Sequence, residues 1–547
     1  MSEEPAYFPL LALPDPCLLA VLQCCAADDQ CSLFSAARAH SRLHQAAVAA
    51  LHSISTAVPE QQQVDSVLQY LDRHGSHVDS LKLRGPEEDE LTLCQLPPGL
   101  QLHSLDLAQF FVQLLPGTDA QGVLGLAAAA AAVGPPPLKQ LRLTECTLID
   151  GAEGLAAALL QLRTLEHLSL YSIYETAVGK MVCFPTGVLQ QLPQLTYLEL
   201  AYVNPRGPDP ASPALQQLTA LTRMADLRLG DLYPLTPLVT ASMLSGMCQL
   251  TRLAVLSAAF EPTALAGKPR LQHLELAVCT LQPPISVSGV AALLSKLQQQ
   301  TQLTYLDLRH SVRTVEERNP PAAAYAALTA SSKLQHLSIS ECRLPAGVWQ
   351  HMFPAGRQLL HLTTLNISVI EQSSCGAMPA PEGSRLVSCC PSLQSLNMCY
   401  LRYRPQQLTQ LQGLSGLHTL HLLTGTAQEL ADDVPADTGQ TLQAVCQLTG
   451  LRKLRLMVDD APTSRLVTQL QQLQRLPHLT MLDYLESTPA VLQQEVGGSL
   501  WMPRSCCLPA WCLFFECNWA CHGEGQLLVV PAWLLSVCCC LDVLRRP

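Results

Sequence analysis

The sequence has few aromatic residues and few charged residues for its length. Aromatic side chains make up 5% and charged side chains 14% of the 547 residues, whereas hydrophobic residues make up 48%. The interior must therefore be filled by medium-sized aliphatic side chains and not by large aromatic anchors. A chain this long does not form a single compact core, which favours several domains or a repeat array in which each unit packs on its neighbours.

The sequence also lacks a surplus of basic residues and any long apolar segment. Its 33 Lys and Arg stand against 44 Asp and Glu, giving a net charge of -11, which disfavours nucleic-acid binding. The start has no basic segment followed by an apolar stretch, so no secretory signal is expected. The apolar run at residues 527–541 contains a proline and is shorter than the roughly 20 residues that span a membrane. We expect neither nucleic acid nor a membrane as a partner.

Cysteine is abundant but forms no disulfide pattern. The 23 cysteines are odd in number and scattered along the whole chain. A disulfide framework belongs to short secreted domains, so reduced thiols in the cytoplasm or the nucleus are the better interpretation.

Motifs for catalysis, cofactors or metals are missing too. The sequence has no phosphate-binding glycine loop and no set of nucleophile, base and orienting residue. His40 and His44 lie one helical turn apart but have no HExxH context, which favours a solvated helix face. Cys512, Cys517, Cys521 and His522 match no four-ligand zinc signature. We expect neither an enzyme nor a bound cofactor.

A repeated pattern, LxxLxL, dominates the rest of the chain. Its fifteen copies, some degenerate, begin at Val78, Leu102, Leu138, Leu165, Leu195, Met224, Leu250, Leu271, Leu303, Leu334, Leu362, Leu393, Leu417, Leu451 and Leu479. The mean period over the fourteen steps is about 29 residues. Side chains alternate along a strand, so the fourth and sixth positions point inward and the third and fifth outward.

Amphipathic stretches precede many of these strands. Examples begin at Gly154, Val290 and Leu466, where apolar residues recur at helical spacing. Each unit is therefore predicted to be a helix followed by a strand. Proline-rich insertions at 203–213, 309–321 and 371–383 interrupt the period, which predicts extended loops there.

The pattern resembles the leucine-rich repeats of the cysteine-containing, ribonuclease-inhibitor-like branch. Cysteine stands eight residues after the first leucine in three units, at Cys146, Cys279 and Cys342. The resemblance implies an α/β solenoid, a horseshoe with a parallel concave sheet and helices on the convex side. At that position the family uses Cys or Asn to satisfy backbone groups of the turn.

A helical segment precedes the repeats. Leu-Pro at Leu13 and Pro14 introduces a first helix, an acidic turn precedes a second, and a third follows Ser41. The segment resembles an F-box, which implies that it binds a Skp-type adaptor and, through it, a cullin scaffold. The matching residues implied to bind the adaptor are Leu13, Pro14, Leu18, Leu19, Val21, Leu22, Leu33, Arg42 and Leu43. A helical cap that shields the first repeat is the alternative.

These features divide the chain into five segments. They are a disordered N-terminal tail at 1–8, an all-helical F-box-like segment at 9–55, a capping or linking helix at 56–76, a solenoid of about fifteen units at 77–485 and a poorly ordered Cys- and Trp-rich tail at 486–547.

The outward strand positions carry the best functional signal because core packing does not dictate them. Tyrosine, arginine and histidine alternate there with carboxylates, as suits a protein-binding face. The residues predicted to bind a partner are His167, Tyr197, Glu199, Asp226, Arg228, Arg252, His273, Glu275, Tyr305, Asp307 and His336. The alternative is that they only keep an exposed sheet soluble through cross-strand pairs.

The sequence thus predicts a protein-interaction module. The first hypothesis is a substrate-recognition subunit of a cullin-RING ubiquitin ligase that holds an unknown protein target on its concave face. The second is a scaffold with no ubiquitin role, cytoskeletal or axonemal in location.

Overall fold

The computed structural model describes most of the chain between residues 13 and 486 and a short stretch beyond. The described ranges are 13–28, 40–86, 90–97, 100–114, 123, 138–176, 180–206, 215–232, 238–282, 288–312, 320–368, 371–372, 376–377, 380–399, 401, 403–424, 438–458, 473, 476–486 and 512–514.

One large parallel sheet runs through these residues. Its seventeen described strands, in chain order, are β1 (Ser53–Ala57), β2 (Ser80–Arg84), β3 (Ser104–Ala108), β4 (Gln140–Thr144), β5 (His167–Tyr171), β6 (Tyr197–Ala201), β7 (Asp226–Gly230), β8 (Arg252–Leu256), β9 (His273–Ala277), β10 (Tyr305–Asp307), β11 (His336–Ser338), β12 (Thr364–Asn366), β13 (Ser395–Asn397), β14 (Thr419–Thr424), β15 (Lys453–Val458), β16 (Met481–Glu486) and β17 (Cys512–Phe514). Each strand pairs in parallel with the next, and equivalent residues of successive units are neighbours.

All fifteen sequence repeats carry a strand that begins two residues after the first position of the pattern. The leucines of the fourth and sixth positions point inward, as Leu141, Leu143, Leu168 and Leu170 show with no exposed surface. The chain is therefore an α/β solenoid built of leucine-rich repeats, because each unit buries its leucines only against the units beside it.

The sheet begins earlier than the predicted solenoid boundary at residue 77. β1 pairs with β2 over five residue pairs, and Leu51 and Ile54 are buried as the first and fourth positions of an incomplete repeat. The sequence signal is weak because Thr56 occupies the inward sixth position, where the other units have an apolar residue or tyrosine. The boundaries predicted at 55 and 56 thus fall inside a strand of the sheet.

Helices lie against the leucine side of the sheet in the same hydrophobic core. The α-helices are α1 (Asp15–Asp28), α2 (Ser41–Ala50), α3 (Gln61–His74), α4 (Gly151–Gln161), α5 (Ala241–Leu244), α6 (Gly289–Leu297), α7 (Val348–Met352), α8 (Gly383–Cys389), α9 (Pro405–Gln410) and α10 (Thr438–Val445). The amphipathic stretches predicted from Gly154 and Val290 lie in α4 and α6, whereas 466–474 lies almost wholly outside the described residues.

Several units have a 3₁₀ helix where an α-helix was predicted. These helices are Thr186–Gln191, Gln216–Ala220, Pro262–Leu265 and Ala322–Thr329, with shorter ones at Gly75–His77 and Leu411–Gly413. A 3₁₀ helix rises further per residue than an α-helix and so crosses the same distance with fewer residues. That suits a short unit such as the one between Leu250 and Leu271.

Each strand of the middle units is followed by a left-handed residue at the eighth position of the repeat. Nine successive units have a positive φ there, at Gln109, Glu145, Ser172, Tyr202, Asp231, Ser257, Val278, His310 and Glu341. The turn directs the backbone N–H of each to a carbonyl of the next unit; for example, Ser172 N donates to Ala201 O at 2.9 Å. We call this line of residues the rim.

The cysteines that follow the rim are buried and hydrogen-bonded to backbone carbonyls. Cys146 Sγ lies 3.4 Å from Leu107 O, and Cys279 Sγ lies 3.2 Å from Val255 O. In another unit Ser311 occupies the same position and donates to Leu276 O at 2.6 Å. Burial raises the pKa of Cys146 and of Cys279 to about 11. These thiols are structural donors, as the resemblance implied for this position.

Strands β10, β12 and β13 are short because a side chain takes over a backbone hydrogen bond at their ends. Asp307, Asn366 and Asn397 each accept the N–H of the residue two further along the chain, at 3.0, 3.2 and 3.2 Å. Such local bonds compete with the sheet ladder and end the strand.

The two ends of the chain are described only in part. The predicted tail at 1–8 lies outside the described residues, and of residues 487–547 only Cys512–Phe514 is described, paired with β16. Among the described residues, no helix is long and apolar enough to cross a membrane.

Candidate partner-binding face

The face of the sheet opposite the buried leucines carries two rows of side chains, and we call it the open face. The first row holds the third position of each repeat and the second row the fifth. In-register pairing places Tyr197 beside His167, and His273 beside Tyr305. Since neighbouring strands are about 4.8 Å apart, large side chains in one row must touch.

The first row begins with a stack of two rings. His167 and Tyr197 lie face to face, with centroids 3.7 Å apart and planes 5° apart. The Arg228 guanidinium lies 5.0 Å from the centroid of the Tyr197 ring, within cation–π range. Burial lowers the pKa of His167 and raises the pKa of Tyr197 to about 12. Both rings are therefore neutral near pH 7.

A second stack of three rings lies further along the same row. Tyr305 stacks on His273 at 3.8 Å and on His336 at 4.2 Å, with planes 8° and 5° apart. All three side chains are half-buried. Burial lowers the pKa of His336 and raises the pKa of Tyr305 to about 12.

Ion pairs surround the first stack. Ser169 and Tyr197 donate to a carboxylate oxygen of Glu199 at 2.7 and 2.9 Å, and Arg142 lies 3.5 Å from it. Burial alone would raise the pKa of Glu199, but these two hydrogen bonds and the arginines lower it. The carboxylate is therefore held charged and aligned with the rings.

Charged residues also join the two stacks. Arg228 binds both oxygens of Asp226, at 3.2 and 3.0 Å, and Arg252 lies 4.0 Å from Asp226. The Nε of Arg252 and the Nε2 of His273 are buried without a hydrogen-bond partner among the described residues. Each lies near a carboxylate but beyond hydrogen-bond distance, the Arg252 Nε 4.0 Å from Asp226 and the His273 Nε2 3.9 Å from Glu275.

Beside the second stack, Arg309 connects two carboxylates. Its guanidinium lies 2.8 Å from Asp307 and 3.2 Å from Glu275. Contact with His273 lowers the pKa of Glu275. Burial opposes this shift, and the positive charge of Arg309 adds to it. Arg309 was not among the predicted residues because only the third and fifth positions were considered. It occupies the seventh position, which lies on the same face.

The structure changes the role of one predicted residue. Asp307 is only 2% exposed, and its carboxylate is occupied by the Arg309 backbone N–H and side chain. It therefore shapes the strand end and positions Arg309, and it does not offer a surface to a partner. The other predicted residues of the open face are half-buried and reach solvent.

The F-box-like residues that the structure describes lie on or just before the packed helices α1 and α2 and not on the open face. α1 packs against α2, and Arg42 joins them by bonds of 2.6 Å to Asp15 and 2.6 Å to Leu13 O. Leu18, Leu22 and Leu43 are 0%, 1% and 7% exposed.

Three of the residues that match the F-box pattern, Leu18, Leu22 and Leu43, are thus buried in the hydrophobic core. Pro14 is exposed, Val21 is 39% exposed and Leu19 is half-buried. Leu33 and the predicted second helix lie outside the described residues, so an all-helical N-terminal domain is not confirmed.

Within the described ranges, no group of three or more His, Cys, Asp or Glu side chains could hold a metal ion. His40 accepts the Arg42 N–H at 3.1 Å as the cap of α2, and His44 packs edge-on against His74. His40 is therefore an exposed helix cap, and His44 is part of the packing between α2 and α3.

Comparisons with known proteins add little to this description. No protein-family model matches the sequence, and a comparison with curated proteins finds no match either. Among solved structures, an internalin from Listeria monocytogenes is similar, with a TM-score of 0.36 and 13% identity over 77% of this chain and 92% of that chain. A likeness this weak carries no argument, so the fold assignment depends on the repeats and the sheet themselves.

Proposed function

We propose that the chain is a protein-binding solenoid that holds a partner on its open face. The observation that supports this most is the two ring stacks in one row, joined by ion pairs over seven consecutive strands. Tyrosine and arginine in half-buried positions are the residues that dominate binding energy in protein interfaces. Their mutual stacking fixes them before binding, which lowers the entropy cost of association.

Site-specific photo-crosslinking of the full chain in cells tests this proposal. A photoreactive amino acid replaces Tyr197 on the open face or, as the matched control, Leu160, which is 44% exposed on helix α4. We expect a discrete crosslinked protein from position 197 and not from position 160. The same products from both positions, or none from position 197, would contradict the proposal.

A finer proposal is that this protein is the substrate-recognition subunit of a cullin-RING ubiquitin ligase. The F-box-like sequence match and the packed pair α1 and α2 support it. In that role the open face holds the target, and other subunits perform the catalysis. Pro14, Leu19 and Val21 are then the residues that reach a Skp-type adaptor, since Leu18, Leu22 and Leu43 are buried.

A scaffold without a ubiquitin role is the second candidate, and the burial of the three F-box-matching leucines favours it. Leu18, Leu22 and Leu43 belong to the hydrophobic core that continues into the first repeats. Helices α1 and α2 would then act as a cap, as the end of a solenoid requires. The cytoplasm, with the nucleus or the axoneme as alternatives, is the location proposed for either candidate.

A pulldown of the full chain with the Skp-type adaptor separates the two candidates. We expect wild type to bind and Val21→Asp to weaken binding by roughly fivefold or more, because a charge would enter the contact. The control is Gln63→Asp, an exposed change on α3 outside the F-box match. Absence of wild-type binding would leave the scaffold as the function.

A further inference from the structure

Tyrosines are concentrated at one place on the edge of the open face. Of the 12 tyrosines in the chain, four lie between residues 171 and 202. Tyr197 belongs to the ring stack described above. The other three, Tyr171, Tyr174 and Tyr202, lie at or next to the rim, and we call them the tyrosine cluster.

The rings of the tyrosine cluster are held at an angle to each other. Tyr171 and Tyr202 are perpendicular neighbours, with centroids 5.4 Å apart and planes 72° apart. Tyr174 Oη lies 2.8 Å from Ser172 Oγ. All three side chains are half-exposed, and the backbone N–H of Tyr202 is fixed to Gly230 O at 3.1 Å.

Small residues follow Tyr171 in its row. Tyr171 is the seventh-position residue of its unit, and the next two residues of that row are Ala201 and Gly230. Neither adds more than a methyl group, and a Cβ on Gly230 would come within 3.1 Å of Leu256. Ala201 and Gly230 are both buried, and the next residue of the row, Leu256, packs against Gly230, so the row places no bulky side chain between Tyr171 and Leu256.

Negative charge lies at the same place. The Tyr202 phenol donates a hydrogen bond to Asp231, the next rim residue, and this bond raises the pKa of Tyr202. Glu145 lies two rim positions before Tyr202. Among the described residues, no Lys, Arg or His nitrogen lies within 4.0 Å of the Asp231 or Glu145 carboxylate, whereas Arg228, in the same unit as Asp231, is paired with Asp226.

We propose that the tyrosine cluster and Asp231 bind the cationic side chain of a lysine or arginine in the partner held on the open face. This inference rests on the proposed function, because it names the chemistry that the face recognises. Aromatic faces attract a cation through their quadrupole, and a carboxylate that has used only part of its acceptor capacity can bind the cation directly. The net charge of -11 adds a long-range attraction for basic partners.

The test uses small probes, so it does not need the partner. 3-Fluorotyrosine is placed at position 202 of the full chain, and its fluorine resonance is followed while N-acetyl-arginine amide, N-acetyl-lysine amide or the neutral N-acetyl-citrulline and N-acetyl-norleucine amides are added. We expect saturable shifts in the millimolar range from at least one cationic amide, which binds roughly fivefold more tightly than its neutral counterpart. Asp231→Asn should reduce this preference, and fluorotyrosine at position 305 should not show it.

The inference is overturned if the neutral amides shift the resonance as strongly as the cationic ones, or if no saturable shift occurs. Its failure differs from failure of the proposed function. Crosslinks from Tyr197 without a cation preference at Tyr202 would remove only the inference. A cation preference without crosslinks would leave a cation-binding site at the tyrosine cluster but remove the partner held on the open face.

Discussion

The phenol ring of Tyr305 lies face to face with the imidazole of His336, with centroids 4.2 Å apart and planes 5° apart, and its other face covers His273. Each contact of this kind contributes about 0.5–1.5 kcal/mol beyond area burial. We expect Tyr305→Leu to lower the free energy of unfolding by about 1–2 kcal/mol, measured by thermal denaturation. Tyr174→Leu, which removes no ring stack, is the control; equal losses would contradict a stabilising role of the stack.

The half-buried histidines of the open face predict a loss of stability in mild acid. The pKa of His167 and of His336 is lowered in the folded protein, first by burial, so the unfolded chain takes up protons at a higher pH. Stability should be flat above the ordinary histidine pKa of about 6.5 and fall below it. The double variant His167→Gln/His336→Gln should flatten the Tm profile between about pH 7.5 and 5.5.

The control for that profile is His361→Gln, which changes an exposed histidine. The lowered pKa values of Glu199 and Glu275 also destabilise the fold on acidification, but only at lower pH, below the ordinary carboxyl range. An unchanged loss of Tm in the double variant would contradict the assignment to the two histidines.

The buried cysteine at the rim predicts which substitutions the turn accepts. Cys279→Ser should be nearly neutral, because Ser311 makes the same carbonyl bond in the next unit. Cys279→Val leaves that carbonyl without its donor and should cost about 1 kcal/mol, measured by chemical denaturation. A serine variant less stable than the valine variant would show that the thiol acts only as an apolar filler.

The early strand β1 predicts that the solenoid depends on residues before its sequence repeats. Ile54→Asp places a charge in the core, where Ile54 is 2% exposed, and should lower Tm strongly. Ser55→Asp, on the exposed face of the same strand, should change it little. If both variants melt alike, β1 is not part of the cooperative core.

The left-handed rim predicts a stabilising change at Val278. A β-branched residue is unfavourable at a positive φ, here 56°, and its side chain is 54% exposed, so little burial is lost on removal. Val278→Gly should raise Tm, by an amount that corresponds to about 1 kcal/mol. Thr280→Gly, a nearby exposed position outside the positive-φ set, is the control and should lower Tm.

Part of the candidate binding face could be predicted from the sequence, and part depends on contacts that only the folded chain makes. The outward positions could be named from alternation alone, and the structure places their rings and charges side by side. Asp307 could not be recognised as buried, because its burial follows from a turn bond to the Arg309 N–H and from the arginine side chain. Tyr202 lies at the left-handed turn of the rim and Tyr174 follows it, so the directions of these two side chains do not follow from strand alternation.

The sequence by itself determined the repeat, its strands and the buried leucines, because a period of about 29 residues with fixed inward positions can be satisfied only by stacking units. Tertiary structure decided three further features. It decided that Leu18, Leu22 and Leu43 are core residues, that β1 opens the sheet and that rings in one row stack. Each depends on which neighbour a side chain meets across units, and strand register sets that contact, not the local pattern of any single unit.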